Sequence, residues 1–450
     1  MTDLVPRRLL LIQVLITCGP PVLLLSSGRS SAAAIWYFGV LLAIVLCSAA
    51  GKRAAPGGAL IVATIPLLMV IRDYFSYSSV FAVLAVGVAV YVFAMPQSVA
   101  ELTRNRTAFG PLAALSLFWA LSAITTGDVL TNIRALELAL AVANVYLLGH
   151  SRRWLGASLN GLVLCTFLVS LGLLPFGERL GAAQIGEISL GNPARTGFLS
   201  ALVLLLAFAD RGRWLLLEAA RRWIFVIVAA ASCTLALSTS RGGWAVAVVM
   251  LCSIAVLDRR SRTHVMNSAV ITLVAVVVVL QTARGTTVIR YFDKVMSSER
   301  SVLARTSGRS DQWRVFPTVV WDSPVWGHGF GAGRRTSYEY TGVGRDFHSL
   351  YLHVGTETGL LGLAILAYLM ASIGRRCRDH RRMTSETLPL AALLGFATIG
   401  ITVNGFDAIS GVYVGLALLG GDLRSLYVVV PTPHQSAEAL DSTAETVQSL

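Results

Sequence analysis

Of the chain's 450 residues, 55% are hydrophobic and 14% charged, against about a quarter charged in soluble domains, which argues against a soluble fold. The formal charge of +13 falls in small clusters between apolar runs, so it marks membrane topology rather than a nucleic-acid-binding face. Nearly all of that charge is arginine, since Lys52 and Lys294 are the only lysines.

A membrane-spanning helix needs about 20 mostly apolar residues, and about fourteen such segments follow one another, give or take two. They run near 9–27, 32–50, 57–71, 79–95, 108–125, 134–149, 154–174, 193–209, 222–238, 243–257, 265–282, 349–373, 388–403 and 408–430. Arg7 and Arg8 before the first run give it the look of a signal peptide, but no small-residue cleavage site stands out, so it reads as a retained first helix. Alternate loops carry the arginine clusters, among them Arg152/Arg153, Arg259/Arg260/Arg262 and the run Arg375–Arg382. By the positive-inside rule these loops are cytoplasmic, and both termini with them. Two longer segments then fall outside, 175–193 and 283–348. The second is rich in Trp, Tyr and Arg, too aromatic for a plain linker, and is expected to fold, with a helix around 311–320. The expected organisation is all-α and polytopic, with about 12–14 transmembrane helices. Residues 1–430 form one membrane unit with a large extracytoplasmic loop at 283–348, and 431–450 form a polar cytoplasmic tail. Five of the six cysteines lie in apolar runs and Cys377 in a basic segment assigned to an inner loop, so no disulfide framework is expected.

The stretch Asp346-Phe347-His348-Ser349-Leu350-Tyr351-Leu352-His353, continuing to Glu357-Thr358-Gly359-Leu360-Leu361-Gly362, places His348 where the outer loop meets a spanning helix. An imidazole titrates near neutrality, which suits it to take a proton from a hydroxyl. The competing reading is a helix-terminal histidine beside a capping Ser349. Arg195 and Arg241 fall at outer ends of helices, where a charge near lipid needs a partner. That partner is either structural, such as Glu178, Glu187 or a helix C-terminus, or a bound anion. Gly355, Gly359 and Gly362 share about one helix face and suggest close helix packing. The glycine run 327–333 suggests a hinge or lid, and His328 a loop residue. Trp313, Trp321 and Trp326 read as interfacial anchors or as a sugar-binding groove. Asn404 and Asp407 fall in a short outer turn within reach of an acceptor, although nothing in their spacing requires that role. No metal-ligand spacing is present, since His348 and His353 lack the acidic companion of an His-Glu-x-x-His pattern.

The run His348, Ser349, Gly359, Gly362 resembles the His-[Ser/Asn/Gln]-x9-Gly-x-x-Gly signature of the O-antigen ligase and polymerase family of bacterial envelope enzymes. Ser240-Arg241-Gly242 resembles that family's Ser-Arg-Gly turn. Gly191-Asn192-Pro193-Ala194-Arg195, with Leu199, resembles its Asn-Pro helix approach and the ligases' Arg-x-x-x-Leu. Gly308-Arg309, Trp313 and Pro324–Gly331 resemble the loop before its histidine.

The resemblance implies a GT-C-like membrane glycosyltransferase that needs no metal or other cofactor. Its donor would be a glycan on undecaprenyl diphosphate, and its acceptor a hydroxyl of a glycan, lipid or protein. It further implies His348 as catalytic base and Arg195, Arg241 and Arg309 as ligands of the lipid diphosphate, a role that suits the planar guanidinium fork. The expected place is the bacterial plasma (inner) membrane, with the active site extracytoplasmic. Ligase and polymerase share these features, and the Arg195–Leu199 and His348–Gly362 patterns tilt toward ligase. The rival from another class is a lipid-linked glycan flippase or exporter, for which two related halves and charges along an intramembrane path would be expected. No internal repeat is visible. A sensor or scaffold without activity is the third possibility.

Overall fold

The computed structural model describes residues 4–27, 29–51, 54–75, 77–94, 129–149, 152–173, 184–185, 188–189, 193–209, 223–238, 240–259, 261–281, 286, 289, 309–329, 331–342, 344, 347–403 and 407–422. The described chain is all-α apart from one small ribbon. The helices are α1 (Leu4–Ser26), α2 (Ser30–Ala50), α3 (Ala54–Phe75), α4 (Tyr77–Ala94), α5 (Val129–Gly149), α6 (Arg152–Leu173), α7 (Pro193–Phe208) and α8 (Ile224–Leu237). They continue as α9 (Arg241–Leu257), α10 (Arg262–Gln281), α11 (Arg309–Asp322), α12 (Gly333–Thr341), α13 (Leu350–Thr384), α14 (Leu388–Thr402) and α15 (Ala408–Asp422). The ribbon pairs β1 (Gln184–Ile185) with β2 (Ile188–Ser189) antiparallel, in the segment before α7.

Each expected apolar segment on described residues is a helix; the segment near 108–125, and the tail 431–450, lie outside the described residues. Among the described residues, five helices are by themselves long and apolar enough to cross a membrane, and eight shorter apolar helices stand among them. The chain is therefore an all-α, multi-pass membrane protein. Large apolar side chains such as Leu23, Ile35, Phe93, Val256 and Leu273 face outward, as lipid-facing residues do, while α3 is enclosed for most of its length. Helix α10 lies at the periphery, with Met266, Val270, Val274 and Val278 exposed.

Glycine lets helices meet closely where no apolar driving force exists between them. A Cβ on Gly243 would lie 2.6 Å from the Gly197 Cα, so α7 and α9 touch backbone to backbone near their starts. A Cβ on Gly411 would lie 2.5 Å from the Ala141 Cβ, which brings α15 against α5. Helices α7, α9, α14 and α15 pack in sequence, α13 lies on α14 and α15, and the loop helices α11 and α12 rest on α13.

Helix α13 runs further than its apolar stretch, through the basic segment to Thr384, so Cys377 sits in a helix rather than in an inner loop. Its thiol donates to the Ala417 carbonyl at 3.2 Å. The far end is fastened by the buried His380 Nε2–Glu386 Oε2 contact at 3.1 Å and by Arg381, which donates to the Leu257 carbonyl at the end of α9 at 2.7 Å. Near its start α13 is interrupted. Gly359 has φ 64° and ψ −158°, a conformation open essentially to glycine alone, so two helices join there.

Candidate functional site

Helices α7, α9, α13 and α15 begin at one pole of the bundle. Pro193 opens α7, where its missing N–H costs nothing, and Arg195 falls in that first turn. Arg195 Nε lies 3.5 Å from Asp407 Oδ2, with both side chains largely buried. The other Asp407 oxygen caps α15, accepting from the Ser410 N–H at 2.8 Å. The partner of Arg195 is thus Asp407, in the turn before α15. The sequence candidates Glu178 and Glu187 lie outside the described residues.

Ser240 caps α9, its hydroxyl accepting from the Gly243 N–H at 2.9 Å, and Arg241 follows with an exposed side chain. A Cβ on Gly197 would lie 2.7 Å from the Ser240 Cβ, and one on Gly242 would lie 2.9 Å from Thr402 Oγ1 at the end of α14. Two residues on from Gly400, Thr402 leads into Val403, whose carbonyl accepts from the Leu350 N–H at 2.9 Å, and Ser349 Oγ donates to the Gly400 carbonyl at 3.0 Å. Ser349 therefore stands at the N-cap position of α13 without capping through its hydroxyl, which ties α13 to α14 instead. His348 precedes it with an exposed side chain, and its N–H donates to Gln312 Oε1 of α11 at 3.2 Å.

The starts of α7, α9, α13 and α15 and the end of α14 are thus joined by short contacts, and these ends carry Arg195, Arg241 and His348. Arg309 is the first residue of α11, the loop helix that touches His348 through Gln312; its side chain lies outside what is described. Helix N-termini present unpaired N–H groups and a positive dipole end, so this pole is electropositive before its arginines are counted. Beside Arg195 lies a narrow cleft of about 20 Å³, lined by Met69, Val169, Ser170, Leu199 and Thr234 among others.

The loop above is held to α13 at the break. The His328 and Gly329 N–H groups donate to the Thr356 and Glu357 carbonyls at 2.8 and 3.1 Å, and the Leu360 N–H donates to the Pro324 carbonyl at 2.7 Å. Gly327, Gly329 and Gly331 all have positive φ. The glycine run is therefore a turn pinned to a broken helix rather than a free hinge. His328 is a loop residue as expected, its Nε2 being 2.8 Å from the Val319 carbonyl. Of the three glycines thought to permit close packing, Gly355 does so, facing Phe316, whereas Gly359 makes the break. Helix α11 matches the helix expected around 311–320; α12 was not foreseen. Trp321 and Trp326 are exposed on this loop. The Tyr340 hydroxyl donates to Asp322, and that bond pushes its pKa up to about 12.

Two features were missed in the sequence. One is the contact of His353 with Glu357, one turn on at 3.3 Å, outside any His-Glu-x-x-His pattern but in an i, i+4 spacing that could have been read. The Arg195–Asp407 pair joins residues far apart in the chain, and no local pattern announces it. Among the described residues, no three His, Cys, Asp or Glu side chains stand together as a metal site.

Fold and site together define a multi-pass, all-α membrane protein with basic residues and a histidine gathered at one end of the bundle. A family model described as O-antigen ligase matches residues 226–367, which include Arg241, Arg309 and His348. A protein of Salmonella typhimurium named O-antigen ligase is 22% identical over 368 residues, covering 76% of this chain and 88% of that protein. These findings support assignment of the chain to the O-antigen ligase family.

Proposed function

We propose that the chain transfers a glycan from an undecaprenyl-diphosphate carrier to a hydroxyl acceptor in cell-envelope polysaccharide synthesis, as an O-antigen ligase does. The observation that carries this reading is the meeting of helix ends bearing Arg195, Arg241 and His348 at one pole. The His348 imidazole takes the proton of the acceptor hydroxyl as its oxygen attacks the anomeric carbon. The bond to the diphosphate breaks in the same displacement, with inversion, and the leaving diphosphate gathers charge. Arg195 and Arg241 neutralise that charge through planar two-pronged hydrogen bonds, Arg309 assists from α11, and the helix N-termini add to the field. Asp407 steadies Arg195. In this reading the site faces away from the cytoplasm, and the protein sits in the plasma membrane with both termini inside.

Reconstituted protein supplied with an undecaprenyl-diphosphate-linked glycan and a lipid-core acceptor tests it. His348→Ala is expected to insert normally and transfer nothing; normal product from that variant removes the proposed base. Arg241→Lys keeps the charge but loses the fork, and an unchanged rate would discard the clamp. Mass analysis of lipid-linked glycans separates the two members of the family: single attachment to the core marks a ligase, and lengthening of the carrier-linked chain a polymerase.

A further inference from the structure

His353 and Glu357 form an ionisable pair that the proposed reaction does not use. Both lie on the short half-helix between His348 and the break at Gly359, and their side chains are 4% and 0% exposed, with Nε2 3.3 Å from Oε1. A carboxyl group so enclosed needs polar partners. Its Oε1 has two, the His353 imidazole and the Gly331 N–H, which donates to it at 3.1 Å. Gly331 belongs to the pinned turn, so the pair reaches off its own helix and grips the loop. That grip matters because a chain with glycines at 327, 329 and 331 has much conformational freedom to lose on ordering. The same loop continues back into α11, which touches the start of α13 through Gln312 on the His348 N–H and through Phe316 against Gly355.

We propose that Glu357, in contact with His353, is a positioning residue for His348: by holding Gly331 it seats the loop on the break of α13 and sets the stance of the half-helix that presents the imidazole. The proposal rests on the reading of His348 as the base, and the experiment separates the two. Full-length protein in lipid nanodiscs is followed by amide hydrogen exchange over 327–333 and by the rate of His348 modification with diethyl pyrocarbonate. Glu357→Ala is expected to raise exchange in the turn about tenfold or more while α3 and α14 keep their protection, and to change the His348 modification rate. Glu357→Gln retains an oxygen for the Gly331 N–H and is expected to recover most of the protection. With an undecaprenyl-diphosphate-linked glycan as donor, kcat falls about tenfold or more in Glu357→Ala, because a small misplacement of a reacting group is costly, while KM for the donor holds and Glu357→Gln rescues. A merely structural role would lower the yield of folded protein and leave kcat of the folded fraction and the His348 reactivity unchanged. Wild-type exchange and wild-type His348 reactivity in Glu357→Ala overturn the proposal. If that variant does not fold, the same two readouts on His353→Asn, which leaves the carboxyl without its imidazole, decide it in the same way. Should the wild-type protein transfer no glycan, the transferase reading fails, while exchange and modification still decide whether Glu357 positions His348.

Discussion

Asp407 performs two tasks with one carboxylate, capping α15 and pairing with Arg195. The tasks can be separated. Asp407→Asn keeps an oxygen for the Ser410 N–H and removes the charge beside Arg195, so glycan transfer is expected to drop with little change in melting temperature. Asp407→Ala loses the cap as well, at a further cost of about 1 kcal/mol, which a comparison of the two melting curves reads directly. Tyr340 offers a check on the loop between α11 and α13. Its hydroxyl bond to Asp322 holds the phenol up to about 12, above its ordinary value near 10. The raised value belongs to the folded state, so the stabilisation is complete below about pH 10 and is lost as pH climbs through about 12. Spectrophotometric titration of the natural chain against Asp322→Ala should show one exposed phenol return toward its ordinary value in the variant. At this scale the sequence spoke unevenly. A charge at a helix end announces that it needs a partner, but the partner's identity depends on which helices meet, and Asp407 gave no local sign of it. Glu357, by contrast, stood in plain helical spacing from His353.

Among the elements, the break in α13 is the most demanding of its residue. A side chain on Gly359 would force a backbone conformation that only glycine adopts readily, and its Cβ would lie 2.7 Å from the Gly327 nitrogen and the Pro324 oxygen. Gly359→Ala is therefore expected to cost at least about 2 kcal/mol, seen as a lower melting temperature together with faster amide exchange in the turn. Gly327 faces the same wall from the other side, a Cβ there falling 2.4 Å from the Glu357 carbonyl carbon, and Gly327→Ala should behave alike. Helix existence was legible because runs of about 20 apolar residues have few alternatives in lipid. The break was not, because Gly355, Gly359 and Gly362 are spaced as a packing face would be, and only the loop's hydrogen bonds tell a joint from a smooth surface. The continuation of α13 through its arginines escaped for a related reason: hydropathy marks where the apolar stretch stops, whereas a helix stops only where its capping does, here at Ser385 with φ 61°.

For the whole molecule, the two ends of the bundle differ in kind. One gathers the starts of α7, α9, α13 and α15 with Arg195, Arg241 and His348; the other gathers Arg381 on the Leu257 carbonyl and the enclosed His380–Glu386 contact. If the first faces outward, an impermeant thiol reagent added to intact cells should label Arg241→Cys and spare Arg382→Cys, in a background lacking the native cysteines, two of which, Cys47 and Cys252, are exposed. The reverse pattern would turn the site toward the cytoplasm and end the transferase reading. The joint at Gly359 has a mechanical consequence for such a protein. A long rod must tilt when its bilayer thins or thickens, and α13, gripped by Arg381 at one end, is no exception; yet its short upper stub is steered from above and need not follow. If His348 is the proposed base, its stance is thereby uncoupled from membrane thickness, and turnover in vesicles of shorter and longer lipids should stay level for the natural chain.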